Sequence, residues 1–120
     1  MYNGRIRKTL KILRKKKLAG LLLSNPLNIR YLTGISFPAW LLISEKGITL
    51  FTSFLYITEA VDILRDLPVR VKDYGRTPET VVTAAMKRDR LINVGYEEKK
   101  LRYGTVISLR GAADKAGTEL

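Results

Sequence analysis

Between Gly20 and Gly34 the chain spells out a strand, a turn, a short helix and a stop in immediate succession. Gly20-Leu21-Leu22-Leu23 is an apolar run that closes on Ser24. A short strand with no polar alternation suits the middle of a sheet, where both faces are covered. Asn25-Pro26 then sets a polar turn, Leu27 to Thr33 gives an apolar helical turn, and Gly34 stops it. A buried strand that feeds straight into a helix opens a layered α/β pattern.

The rest of the chain keeps that rhythm. Ile6, Leu10 and Leu13 fall at i, i+4 and i+7, which predicts an amphipathic helix over residues 5–17. The first strand is expected over Leu21 to Ser24. Residues 39–52 read as a β-hairpin: Trp40 to Ile43 lead in, Ser44-Glu45-Lys46-Gly47 turns, and Ile48 to Phe51 lead out. Ser53 is placed to cap a helix running to about Asp66, with Ile57, Val61 and Leu64 inward. Pro68 ends that helix and opens a strand over Val69 to Asp73. Thr77 stands as N-cap to a helix with Pro78 at its first position and Glu79 near the positive end of the dipole. Leu91 to Val94 reads as another short strand, Glu98 to Ala113 as a last helix, and Asp114 to Leu120 carries no signal. The expected core includes Leu21, Leu22, Leu23, Leu42, Ile43, Val61, Leu64, Val71 and Val94. The alternation with one hairpin predicts an α/β domain around a mixed sheet of about five strands.

Composition narrows the function classes. With 120 residues and 46% hydrophobic content, the chain is the size of one compact domain with a real core. No apolar run approaches the roughly 20 residues that span a bilayer, and no cleavable signal pattern follows the basic start. The absence of cysteine excludes disulfides and thiolate metal sites, and a cytoplasmic location is the expectation. The absence of histidine excludes Ser-His and Cys-His nucleophile pairs. The glycines form no phosphate loop. Asp62 and Asp66 lie four apart and read as partners for nearby basic residues.

Net charge is +11, and residues 1–44 contain no acid. Arg5, Arg7, Lys8, Lys11, Arg14, Lys15, Lys16 and Lys17 crowd the first helix. Two readings stand: an anion or nucleic-acid surface, or a solvated helix face whose acidic partners lie elsewhere. A small basic nucleic-acid-binding protein is thus the alternative function. It lacks interleaved aromatics, so binding through this helix is expected to be weak and non-specific. A ribonuclease-H-type hydrolase would need clustered carboxylates for metal, and the first strand offers none.

Three ordered motifs carry a resemblance. The first is Asn25-Pro26-Leu27-Asn28-Ile29-Arg30-Tyr31-Leu32-Thr33-Gly34 behind its strand. The second is Ser53-Phe54-Leu55-Tyr56-Ile57-Thr58-Glu59-Ala60. The third is Asn93-Val94-Gly95-Tyr96-Glu97. Together they resemble the N-terminal domain of the creatinase/prolidase/Xaa-Pro aminopeptidase family across about residues 5–110. In the second motif the family commonly has an Asp, then Arg-Tyr, then Glu-Ala. Tyr56 and Glu59-Ala60 match, while Ser53 replaces the Asp and Leu55 the Arg, so the ion pair or anion contact of the usual residues is absent here. The resemblance implies a three-layer, ribonuclease-H-like α/β fold for one domain over residues 1–120. It also implies a dinuclear divalent-metal site in a C-terminal metallopeptidase domain that this chain does not contain. The implied role is non-catalytic: dimerisation, and shaping the active-site entrance of a Xaa-Pro dipeptidase or aminopeptidase-like enzyme. Expected partners are a second copy or the chain's own peptidase domain, with no membrane. No catalytic or metal-binding residue and no cofactor is expected in the chain itself. The candidate contact residues are Phe37, Pro38, Trp40 and Tyr56. Phe37, Pro38 and Trp40 stand together after Gly34, and read either as the wall of a pocket or interface or as the lid of the domain's own core.

Overall fold

The computed structural model describes residues 2–96. Helix α1 (Tyr2–Lys16) is followed by β1 (Gly20–Leu23), α2 (Pro26–Thr33) and the hairpin strands β2 (Ala39–Ser44) and β3 (Gly47–Thr52). A single 3₁₀ turn (Phe54–Tyr56) leads into α3 (Ile57–Leu64). Then come β4 (Val69–Asp73), α4 (Pro78–Arg88) and β5 (Val94–Tyr96). The five strands form one mixed sheet in the order β4-β3-β2-β1-β5. The pairs β1–β2 and β2–β3 are antiparallel; β1–β5 and β3–β4 are parallel. Strands β1, β3, β4 and β5 therefore run one way and β2 alone runs back.

Strand alternation sorts side chains between two cores. Leu23, Leu41, Ile43, Ile48 and Leu50 pack with Ile6 and Leu13 of α1, Ile29 and Leu32 of α2, and Ala60 and Leu64 of α3. Leu22, Leu42 and Phe51 face the other way, onto Val82, Ala85 and Met86 of α4. This is the three-layer α/β arrangement that the alternating pattern and the resemblance predict.

Four local readings need correction. The first helix begins at Tyr2, ahead of the expected start. The helix expected from Ser53 is divided, because Ser53 caps only the 3₁₀ turn and α3 starts at Ile57. In that register Ala60 and Leu64, spaced i,i+4, take the inward positions. Val61 lies about 100° further round and is 53% exposed, so it leaves the expected core. Thr77 sits at the N-cap of α4, but its φ of −127° and ψ of 82° leave its hydroxyl out of any capping bond. The strand read over Leu91 to Val94 is displaced to Val94–Tyr96, although Leu91 is still buried. Asn93 explains that shift. Its Nδ2 donates to the Lys17 carbonyl at 2.9 Å and its Oδ1 accepts from the Ala19 amide at 3.0 Å, clamping the α1–β1 turn before pairing begins. Leu21 and Val71 are half-buried; Leu22, Leu23, Leu42, Ile43, Leu64 and Val94 are buried as expected. The helix expected over Glu98 to Ala113 lies outside the described residues.

Candidate functional site

Because β1, β3, β4 and β5 are co-directional, their carboxyl ends converge on one rim, joined there by the entry to β2. In open α/β sheets ligands and partners meet the fold at this end, where loops leave the strands.

The rim is fixed by side chains that bond to backbone. Asn25 Oδ1 accepts from the Leu27 amide at 3.1 Å, and Pro26 occupies the first turn of α2, where no amide is needed. Gly34 ends α2 with φ 83°, its amide donating to the Arg30 carbonyl at 2.8 Å. A Cβ there would come within 3.1 Å of the Tyr2 hydroxyl, so backbone and packing both select glycine. Buried Thr33 donates to the Ile29 carbonyl at 2.7 Å and accepts from the Ile35 amide at 3.2 Å. Buried Thr52 donates to the Pro38 carbonyl at 2.7 Å, tying the β2 entry to the β3 exit. Asp73 Oδ1 accepts from the Gly75 amide at 2.8 Å and shapes the loop after β4. Among the described residues no buried side-chain polar atom lacks a partner.

On this scaffold the four expected contact residues divide. Phe37 and Tyr56 stack with ring centroids 4.7 Å apart and planes 6° apart, a geometry worth about 0.5–1.5 kcal/mol beyond area burial. Phe37 also packs on the α1–α2–α3 core. Pro38 is exposed beside it. Trp40 points through the sheet to pack against the α4 core. Phe37 and Trp40, neighbours in sequence, thus lie on opposite faces and do not share one surface. The apolar residues that do stand outward at the rim are Phe54 and Leu55, each 72% exposed. Leu27, in the first turn of α2, is exposed at the same end. The sequence signal for them is the departure at Leu55, where an apolar residue stands in place of a usual Arg.

Among the described residues no three His, Cys, Asp or Glu side chains come together to hold a metal ion. The residues present do not fit the dinuclear site that the family resemblance implies elsewhere. No helix among the described residues is long and apolar enough to cross a membrane.

Fold and sheet topology define a class: a three-layer α/β domain around a mixed five-stranded sheet. The chain belongs to the Creatinase/Prolidase N-terminal domain family, whose sequence pattern matches residues 5–120. Its structure is similar to a Xaa-Pro dipeptidase from Bacillus anthracis (TM-score 0.88, 20% identity), covering 99% of this chain and 32% of that one. It is similar to a Xaa-Pro aminopeptidase structure from Streptococcus pyogenes (TM-score 0.84, 24% identity, 99% and 88% covered). It is also similar to the N-terminal domain of cytoplasmic peptidase PepQ from Mycobacterium tuberculosis (TM-score 0.85, 26% identity, 98% and 90% covered). The chain therefore spans about a third of the Bacillus anthracis dipeptidase's length. Comparison with curated protein sequences gives no significant match.

Proposed function

We propose that this chain is the non-catalytic N-terminal domain of a Xaa-Pro dipeptidase or aminopeptidase-like metallopeptidase, acting in the cytoplasm. It contributes to dimerisation and shapes the entrance to an active site, and the divalent metal pair belongs to a C-terminal domain. The observation that supports this best is the strand-end rim. Phe54 and Leu55 stand 72% exposed on a scaffold whose polar groups are satisfied internally, which is how a folded domain presents apolar area to another protein. Substrate shape, not chemistry, is the rim's contribution.

Two measurements test it. Sedimentation velocity across a concentration series is expected to show reversible self-association that Phe54→Ser combined with Leu55→Ser abolishes. A wild type that is monomeric throughout contradicts the dimerisation role. Assayed on Xaa-Pro dipeptides with Mn²⁺ or Co²⁺, the chain alone is expected to show no turnover. Metal-dependent activity that scales with protein through purification removes the non-catalytic reading.

The outward cations of α1 favour a second reading, nucleic-acid backbone contact. Arg7, Lys8, Lys11, Arg14 and Lys15 are all exposed. Binding of this kind is sequence-independent and falls steeply with salt. Tight binding to one sequence at physiological salt would favour this reading over the first.

A further inference from the structure

The opposite end of the sheet carries a groove of ≈ 560 Å³, within the range of small-ligand sites. Its floor is apolar, from Leu13, Leu18 and Leu91, and Ile92 stands at its side 73% exposed. Its rim is charged, from Arg14, Lys46 and Arg90. The one acid in the lining, Glu45, is paired with Arg14. Among the described residues, the side chains of Lys46 and Arg90 form no ion pair.

Two helices end at this groove, and they end alike. After α1, the Leu18 amide donates to the Leu13 carbonyl at 2.9 Å and the Lys17 amide to the Arg14 carbonyl at 3.1 Å. After α4, the Leu91 amide donates to the Met86 carbonyl at 3.0 Å and the Arg90 amide to the Lys87 carbonyl at 3.1 Å. Both are Schellman caps, whose left-handed residue is usually glycine. Here that residue is Lys17 (φ 57°) in one cap and Arg90 (φ 54°) in the other. Left-handed backbone disfavours a side chain, so both positions would fold more easily as glycine. A cation near a helix C-terminus recovers part of that loss through the dipole. Of the two left-handed cations, Arg90 lines the groove, and the dipole does not explain why it stands with unpaired Lys46 around one apolar floor. Helix C-termini by themselves disfavour anions, so the positive charge at this groove comes from side chains such as Lys46 and Arg90.

We propose that this groove binds a small organic anion with an apolar body, such as an aromatic or short acyl group bearing a carboxylate, sulfonate or phosphate. The apolar body rests on Leu13, Leu18 and Leu91 against Ile92, and the anionic group meets Arg90 and Lys46. The site is at the opposite end of the sheet from the proposed contact rim and does not depend on it.

The test titrates the full chain with anilinonaphthalene sulfonate, an apolar fluorescent anion, and with its uncharged analogue phenylnaphthylamine. One saturable site for the anion is expected, with much weaker binding of the neutral analogue. Arg90→Gly and Lys46→Gln are each expected to weaken binding about three- to fivefold, the upper end for an exposed charge. Arg90→Gly is expected to do so with an unchanged or higher melting temperature, which separates loss of the site from loss of fold. Ile92→Ser is expected to weaken binding as well, and Phe54→Ser with Leu55→Ser to leave it unchanged. Equal binding of the neutral analogue, no binding of the anion, indifference to both charge substitutions, or loss only in the rim variant would each overturn the proposal.

Discussion

Where β1, β3, β4 and β5 finish, apolar side chains stand outward over a frame of side-chain-to-backbone hydrogen bonds. Where the hairpin turns, cations surround an apolar floor and two helices stop on left-handed residues. The first end uses Asn25, Thr33, Thr52 and Asp73 to satisfy its own backbone, so its loops are held while Leu27, Phe54 and Leu55 stand outward as apolar side chains. The second end accepts non-glycine residues where glycine is easier and carries charge there instead. A held surface with outward apolar side chains suits contact with another folded protein, and a charged groove with an apolar base suits a small anion. One sheet thus presents two surfaces of different chemistry, separated by the length of its strands.

The largest expected effect falls on what both ends share. Leu22 in β1 is fully buried against the α4 core. Leu22→Ala should cost about 2–5 kcal/mol in chemical denaturation. A change near zero would mean that β1 is not buried between the two helical layers.

Glycine geometry should then distinguish the ends. Gly34→Ala at the rim puts a Cβ into left-handed backbone beside the Tyr2 hydroxyl and should cost about 1–2 kcal/mol. Arg90→Gly at the other end should cost nothing or stabilise by up to about 1 kcal/mol, measured the same way. Equal losses would remove the contrast in how the two ends are built.

Thr52→Val tests the frame of the rim. It keeps the shape but removes the hydroxyl that donates to the Pro38 carbonyl, and should cost about 1 kcal/mol. The smallest effect on stability is expected from Phe54→Ser with Leu55→Ser, within about 0.5 kcal/mol, because neither side chain is part of the core. A loss of core size from that pair would place both residues inside the fold.

Much of this architecture is legible in the sequence, because period and punctuation coincide. The apolar run Leu21 to Leu23, the hairpin around Glu45-Lys46, and Gly34 as a stop all follow from local rules. The errors arise where a change of helix type or a distant residue decides. Val61 fits an inward helical spacing, but the 3₁₀ turn after Ser53 rotates α3 so that Ala60 and Leu64 face in. The last described strand starts at Val94 because Asn93 is engaged with Lys17 and Ala19, far away in sequence. The candidate site was half legible. Phe37 and Tyr56 do meet, but Trp40 sits on the other face because strand alternation separates it from Phe37. The outward Phe54 and Leu55 were visible only as a departure from a family pattern. The groove at the opposite end is built from α1, the hairpin turn and the end of α4, and no local motif announces it.

Concentration-dependent NMR tests the contact rim most directly. Backbone amide spectra of the chain, recorded from dilute to concentrated, report which end meets a second copy. The account predicts shifts that grow with concentration and cluster at Leu27, Phe37 and residues 53–56, with Arg90 and Lys46 unmoved. Shifts centred on the hairpin-turn end, or spectra unchanged at every concentration, would contradict it.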